Sequence, residues 1–202
     1  MIALIDYGMG NLGSVAKALQ RVGCEVAITS APGVIADAAG VVLPGVGAFD
    51  DCIRGLEDSG LVKPTLDAIS VGKPFLGICL GLQMLFESSE EGSRAGLGVF
   101  KGKCVRFKHD LKIPQIGWNQ IQISRPAPHL EGVAEGSWVY FVHSYYVVPD
   151  DEGIVATTTD YGYDFCSAIW KDNVFASQYH PEKSQAVGLR ILTNFKRMVD
   201  GG

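Results

Sequence analysis

Cys79 stands between two glycines, in Gly77-Ile78-Cys79-Leu80-Gly81, where a short apolar run ends and a helix-compatible stretch, Leu80 to Glu87, begins. A strand that turns straight into a helix needs small neighbours, because a Cβ would crowd the turn. Such an elbow projects the thiol from the sheet and sets it at a helix N-terminus, where backbone N–H groups favour thiolate over thiol. A free cysteine is ordinarily a small buried hydrophobe, and Cys24, Cys52, Cys104 and Cys166 are read that way. What distinguishes Cys79 lies far downstream, in His180-Pro181-Glu182. There the proline fixes the local backbone, and the carboxylate two residues past the histidine can hold one imidazole nitrogen. The other nitrogen is left for a nucleophile. Cysteine, histidine and carboxylate at strand ends of one sheet would make an activated thiolate for attack on a carbonyl carbon.

Three further stretches are candidates for supporting roles. Pro44-Gly45-Val46-Gly47 follows the third apolar strand; alone it is a glycine turn, but beside a nucleophile elbow its N–H groups and that of Leu80 could converge on a tetrahedral oxyanion. Phe141-Val142-His143-Ser144-Tyr145-Tyr146 places a second histidine among aromatics. His143 competes with His180 for the role of base and ranks below it, having no carboxylate nearby in sequence. Gly8-Met9-Gly10-Asn11-Leu12-Gly13 has the spacing of a dinucleotide fingerprint after a first strand. The second strand ends Ile28-Thr29-Ser30 without the acidic residue that would take a ribose hydroxyl, so a tight strand-to-helix turn is the preferred reading.

These residues need a scaffold. In the first half strands alternate with helices: Ile2–Ile5, helix Asn11–Arg21 stopped by Gly23, strand Glu25–Thr29, strand Gly40–Leu43, helices near Phe49–Leu56 and Val62–Ile69, and strand Phe75–Ile78. Apolar strands alternating with helices predict a mostly parallel sheet covered on both faces, an α/β, flavodoxin-like arrangement. The second half changes to short β-branched and aromatic runs: Lys103–Phe107, Gly117–Ile123, Trp138–Val142, Ile154–Thr158, Cys166–Trp170 and Val174–Gln178. A helix over Ser184–Met198 closes the chain. Residues 1–202 read as one domain, with antiparallel strands grafted onto the parallel sheet.

Composition excludes several classes. With 47% apolar residues, disorder is not the main state, and a formal charge of −5 argues against nucleic acid. Five cysteines, an odd number with no Cys-x-x-Cys, argue against a disulfide framework and for a reducing compartment. The four histidines show no metal-ligand spacing. No basic leader precedes the first strand and no run reaches a membrane span's length, so a cytoplasmic protein with neither metal nor cofactor is expected.

Gly77-Ile-Cys79-Leu-Gly81-Leu-Gln83 together with His180-Pro-Glu182 resembles the class I (triad) glutamine amidotransferase family over essentially the full length. Within it, Asp6-Tyr-Gly-Met-Gly-Asn11, Pro44-Gly-Val-Gly47, Gly117-Trp118-Asn119 and His180-Pro-Glu-Lys-Ser184 look most like the glutaminase subunits of imidazole glycerol phosphate synthase, in histidine biosynthesis. The resemblance implies Cys79 as nucleophile toward glutamine, His180 as acid and base, and Glu182 as its orienter. It also implies an oxyanion hole from the Val46 and Leu80 amides, with glutamine held by Gly45, Gly47, Gln83, Glu91, Ser144 and Tyr145. Ammonia would pass to a (β/α)₈-barrel cyclase subunit that makes imidazole glycerol phosphate and AICAR, contacted through Asn11, Trp118, Tyr140 and Lys183. The partner would activate the glutaminase by reshaping the Pro44–Gly47 loop, with glycines 45 and 47 making a peptide-plane rotation cheap. Other readings stay open from the residues: a glutaminase subunit of another pathway, a stand-alone cysteine hydrolase, or a nucleotide-binding module built on Gly8–Gly13.

Overall fold

Side chains of the first strand alternate between two cores, as the period-2 geometry of a strand requires. Ile2 and Leu4 point to one face with Val15, Leu19, Ile191, Leu192 and Phe195, whereas Ala3 and Ile5 point to the other with Ile35, Phe49, Ile53 and Leu56. Helices therefore cover both faces. The computed structural model describes residues 1–201. In chain order it contains β1 (Ile2–Ile5), α1 (Leu12–Arg21), β2 (Val26–Thr29), α2 (Pro32–Asp37), β3 (Gly40–Gly45), α3 (Phe49–Asp58), α4 (Val62–Ser70), β4 (Phe75–Cys79) and α5 (Leu80–Gln83). The second half adds β5 (Ser88–Ser89), β6 (Gly102–Arg106), β7 (Gln115–Gln120), β8 (Gln122–Ile123), β9 (Trp138–His143), β10 (Tyr145–Pro149), β11 (Val155–Asp160), β12 (Asp164–Lys171), β13 (Val174–Ser177) and α6 (Gln185–Val199).

The main sheet runs β2-β1-β3-β4-β13-β12-β10-β6-β5, with β11 and β8 attached through β12. Pairing is parallel from β2 through β13 and antiparallel from β13 to β6. This is the mixed α/β arrangement expected, with β13 crossing from the second half into the parallel core. Its insertion beside β4 brings the end of the chain to the end of the Cys79 strand, in register Ser177↔Ile78. A separate antiparallel ribbon, β7–β9, pairs Trp118 with Tyr140 and Gln115 with His143.

Several elements depart from expectation. The helix after Cys79 ends at Gln83 rather than Glu87, because Glu87 bonds to Gly102 and Ser88–Ser89 is drawn into an edge strand on β6. Strand Gly117–Ile123 is two strands, β7 and β8, broken where Ile121 turns fully into the core. Helix α2 was not anticipated; six residues show no amphipathic period, and Pro32 in its first turn is the local signal. Strand β10, also unanticipated, lies directly after His143 with one residue between.

Candidate active site

Cys79 takes a backbone conformation that L-residues rarely adopt, φ 56° and ψ −110°, at the junction of β4 and α5. The glycines on either side are there for space. A Cβ on Gly81 would sit 1.9 Å from the Leu43 carbonyl oxygen, and one on Gly77 would sit 2.8 Å from the Ala176 Cβ. The strained turn is thus held between β3 and β13, as a nucleophile elbow requires. The helix that follows is one turn long, so its contribution at the sulfur is that of a few local N–H groups.

His180 lies at the end of β13's extension, its N–H bonded to the Tyr140 carbonyl and its own carbonyl accepting from Ser184 Oγ at 2.6 Å. Ser184 Oγ in turn accepts from the Tyr140 N–H at 3.0 Å, which ties the His180 segment to β9. A Cβ on Gly188 would lie 1.8 Å from the Pro181 carbonyl, so α6 packs directly on this turn. His180 Nδ1 lies 2.8 Å from Glu182 Oε1, and both side chains are almost wholly buried. The other nitrogen, Nε2, is buried without a hydrogen-bond partner and is left for the Cys79 sulfur. Burial works against charge on this ring, but the Cys79 sulfur and the Glu182 carboxylate outweigh it and push the imidazole up to about 9.

A pocket of roughly 270 Å³ opens over Cys79 and His180. Of the residues singled out in sequence, Val46, Gly47, Cys79, Leu80, Gln83, Glu91, Ser144, Tyr145 and His180 all line it. Gly45 does not. It is buried in β3 opposite Cys79, where a Cβ would come 2.7 Å from the Leu80 Cβ. The two glycines of this loop stand in different surroundings. Gly47 alone has left-handed φ, +102°, whereas Gly45 is small to admit the elbow. Beneath this loop the Tyr7 hydroxyl donates to the Pro44 carbonyl at 2.7 Å and the Cys52 thiol to the Val46 carbonyl at 3.4 Å.

Gln83 Nε2 donates to the Tyr145 carbonyl and to Gln178 Oε1, while Gln83 Oε1 is buried with no partner. Glu91 accepts from the Phe49 N–H at 2.9 Å, capping α3, and burial raises its carboxyl above the usual range. His143 lines the same pocket but has no free nitrogen. Nδ1 meets the Tyr145 carbonyl at 2.8 Å and Nε2 the Gln115 side-chain amide at 2.8 Å. Burial pushes His143 down to about 4, so it is neutral and braces the Ser144–Tyr145 segment rather than offering a base.

The remaining positions lie outside the pocket. Trp118 and Tyr140 meet edge to face, ring centroids 6.1 Å apart, with Lys183 Nζ over the Tyr140 ring at 5.6 Å. Around them Ile116 and Trp138 are more than half exposed, leaving an apolar strip on the β7–β9 ribbon. Asn11 is exposed and caps α1, accepting from the Ser14 N–H at 3.4 Å. In the Gly8–Gly13 turn the first two glycines have φ +85° and +123°, but a Cβ on Gly13 meets open space. A dinucleotide fingerprint needs its third glycine for close helix–strand packing, so this is a turn. Among the described residues no cluster of side chains could hold a metal ion. Sequence reasoning missed Gln178, which follows β13, is fully buried and stands two residues before His180; nothing in the local sequence marks it out.

A parallel sheet whose strand ends gather a strained cysteine, a carboxylate-bound histidine and a small polar pocket is the framework of a thiol-dependent amide-cleaving enzyme. The model of the class-I glutamine amidotransferase family matches residues 3–198, and the chain belongs to that family. It is similar to the imidazole glycerol phosphate synthase subunit HisH of Syntrophotalea carbinolica, 56% identical over 98% of this chain and 100% of the relative. The subunit of the same name in Geobacter sulfurreducens is 54% identical, with 98% of each chain covered, and that of Aquifex aeolicus is 54% identical, covering 98% of this chain and 96% of the relative. Among solved structures, a glutamine amidotransferase superposes with TM-score 0.78 at 17% identity, over 99% of this chain and 100% of that one. The Trypanosoma brucei CTPS glutaminase domain with bound acivicin superposes with TM-score 0.69 at 15% identity, over 97% and 93%. At these identities the structures speak for the fold.

Proposed function

We propose that the chain is the glutaminase subunit of an imidazole glycerol phosphate synthase, hydrolysing L-glutamine and delivering ammonia to a cytoplasmic (β/α)₈-barrel cyclase subunit. The observation that carries the chemistry is the buried row Cys79–His180–Glu182 at the floor of a pocket of roughly 270 Å³. Cys79 attacks the side-chain carbonyl carbon of glutamine, and the amides of Val46 and Leu80 receive the oxyanion. His180 gives its proton to the departing nitrogen, and ammonia leaves a γ-glutamyl thioester. His180, now neutral, takes a proton from water, whose hydroxide attacks the thioester and releases glutamate. Glu182 holds Nδ1 throughout, which fixes the tautomer and supports the imidazolium.

The unpartnered Gln83 Oε1 and the Glu91 carboxylate are acceptors suited to the substrate's α-ammonium. Gly47, Ser144 and Tyr145 supply backbone and hydroxyl groups for its carboxylate. Gly45 serves from below, by letting Leu80 sit close. The strip formed by Trp118, Tyr140 and Lys183, with Asn11 at the foot of α1, is the face assigned to the cyclase. Acid quenching of the complex during turnover, followed by mass spectrometry, tests this reading. A γ-glutamyl adduct on Cys79 that is lost in Cys79→Ala supports it, and turnover without an adduct contradicts it.

A further inference from the structure

Gln178 is buried completely, two residues before His180, and it links the substrate pocket to the nucleophile. The direction of its amide follows from its neighbours. The Tyr145 carbonyl can only accept, so the Gln83 end 3.0 Å from it is the nitrogen. That same nitrogen lies 2.9 Å from Gln178, which must therefore present its oxygen there. The other end of the Gln178 amide, Nε2, is then forced toward Cys79, 3.5 Å from the sulfur. An N–H at that distance from sulfur is a hydrogen bond, and it strengthens when the sulfur is charged.

We propose that Gln178 is a further catalytic residue: its Nε2–H donates to the Cys79 thiolate, and the Tyr145–Gln83–Gln178 chain locks it in that direction. This rests on the glutaminase reading above and adds to it a role for a residue outside the Cys–His–Glu row. The donor acts on the free enzyme. Once the thioester forms, the sulfur carries no charge and the bond weakens, so the gain is realised before acylation. The chain also ties substrate binding to the nucleophile, because Gln83 offers its oxygen to the pocket and its nitrogen to Gln178.

The other titratable groups facing Cys79 are His180 with Glu182 behind it from the β13 turn, Tyr7 beyond β1 and Cys52 on α3. Glu91 and His143 line the same pocket. None of these groups hydrogen-bonds to Gln178. The test is the pH profile of Cys79 alkylation by iodoacetamide, followed by peptide mapping, in the full chain without substrate. Gln178→Met removes the donor and keeps the volume; Gln178→Glu keeps the shape and, when ionised, donates nothing. Both are expected to move the acid limb to higher pH, Glu further than Met, slowing alkylation on that limb several-fold while the high-pH plateau stays. If Gln178→Met does not fold, Gln178→Glu decides alone. A limb that coincides with wild type in a folded variant overturns the inference and leaves the triad reading intact. A wild-type Cys79 no more reactive than an ordinary thiol would instead overturn the nucleophile assignment itself.

Discussion

Burial opposes charge on His180, but the Cys79 sulfur and the Glu182 carboxylate outweigh it and push the ring up to about 9. The folded value lies above the ordinary one, so the protonated ring is favoured below about 9 and is lost as pH rises through it. In the proposed mechanism the proton for the leaving ammonia goes with it, so kcat/KM for glutamine is expected to fall on an alkaline limb near that pH. Replacing Glu182 with Gln takes away one of the two groups that raise His180, which moves the limb to lower pH. It also costs roughly a hundredfold or more in kcat, as loss of an orienting carboxylate does elsewhere. A pH–rate series on the variant checks both; an unmoved limb would mean that Glu182 is not coupled to the acid. The proposed site at Cys79 and His180–Glu182 could be read from the sequence because residue type, spacing and flanking glycines are local features. Gln178 could not, since its significance arises only when β13 sits beside β4 and Gln83 fixes its amide.

At the scale of elements, the β4–α5 elbow and the α1 turn make opposite predictions about glycine. Gly81→Ala places a Cβ 1.9 Å from a backbone oxygen of β3, which has no flexible way to yield. Urea unfolding is expected to show a loss of about 3 kcal/mol or more, or no folded protein at all. Gly13→Ala is in α1 with open space before it, and a gain of up to about 1 kcal/mol is expected from helix propensity. Loss of stability there would point to a ligand or contact that the turn reading leaves out. Alternation of apolar strands and helices made the parallel strands β1–β4 and helices α1, α3 and α4 readable to within a residue or two, while α2 carried no such pattern. The second half was harder, since short strands such as β8 and β10 owe their existence to partners distant in sequence. Helix α5 stopped early for the same reason, because pairing with β6 claims Ser88–Ser89.

For the molecule as a whole, two buried histidines lower its tolerance of acid. His129 stacks on Phe175 at 4.4 Å, and burial pushes it down to about 3; His143 is pushed down to about 4. Between those values and the ordinary one near 6.5, the unfolded chain binds more protons than the folded one, so stability falls as pH falls. Each histidine is expected to make the fold about 2 kcal/mol less stable at pH 5 than at pH 7. His129→Phe, which preserves the stack, should flatten the decline in urea titrations by that amount; an unchanged slope would assign the proton uptake elsewhere. The proposed assignment of the β7–β9 strip to a cyclase partner makes a prediction at the same scale: Trp118→Ala is expected to weaken that binding by about tenfold or more, as loss of an exposed aromatic anchor does, without slowing iodoacetamide at Cys79.

The most direct measurement of the central claim is glutamine hydrolysis by the purified chain, alone and with the cyclase barrel carrying its nucleotide ligand, with Cys79→Ala as control. Activity that arises in the mixture and vanishes in the variant is the result expected of a partner-dependent glutaminase. Full turnover by the chain alone, or turnover that survives loss of Cys79, would contradict it.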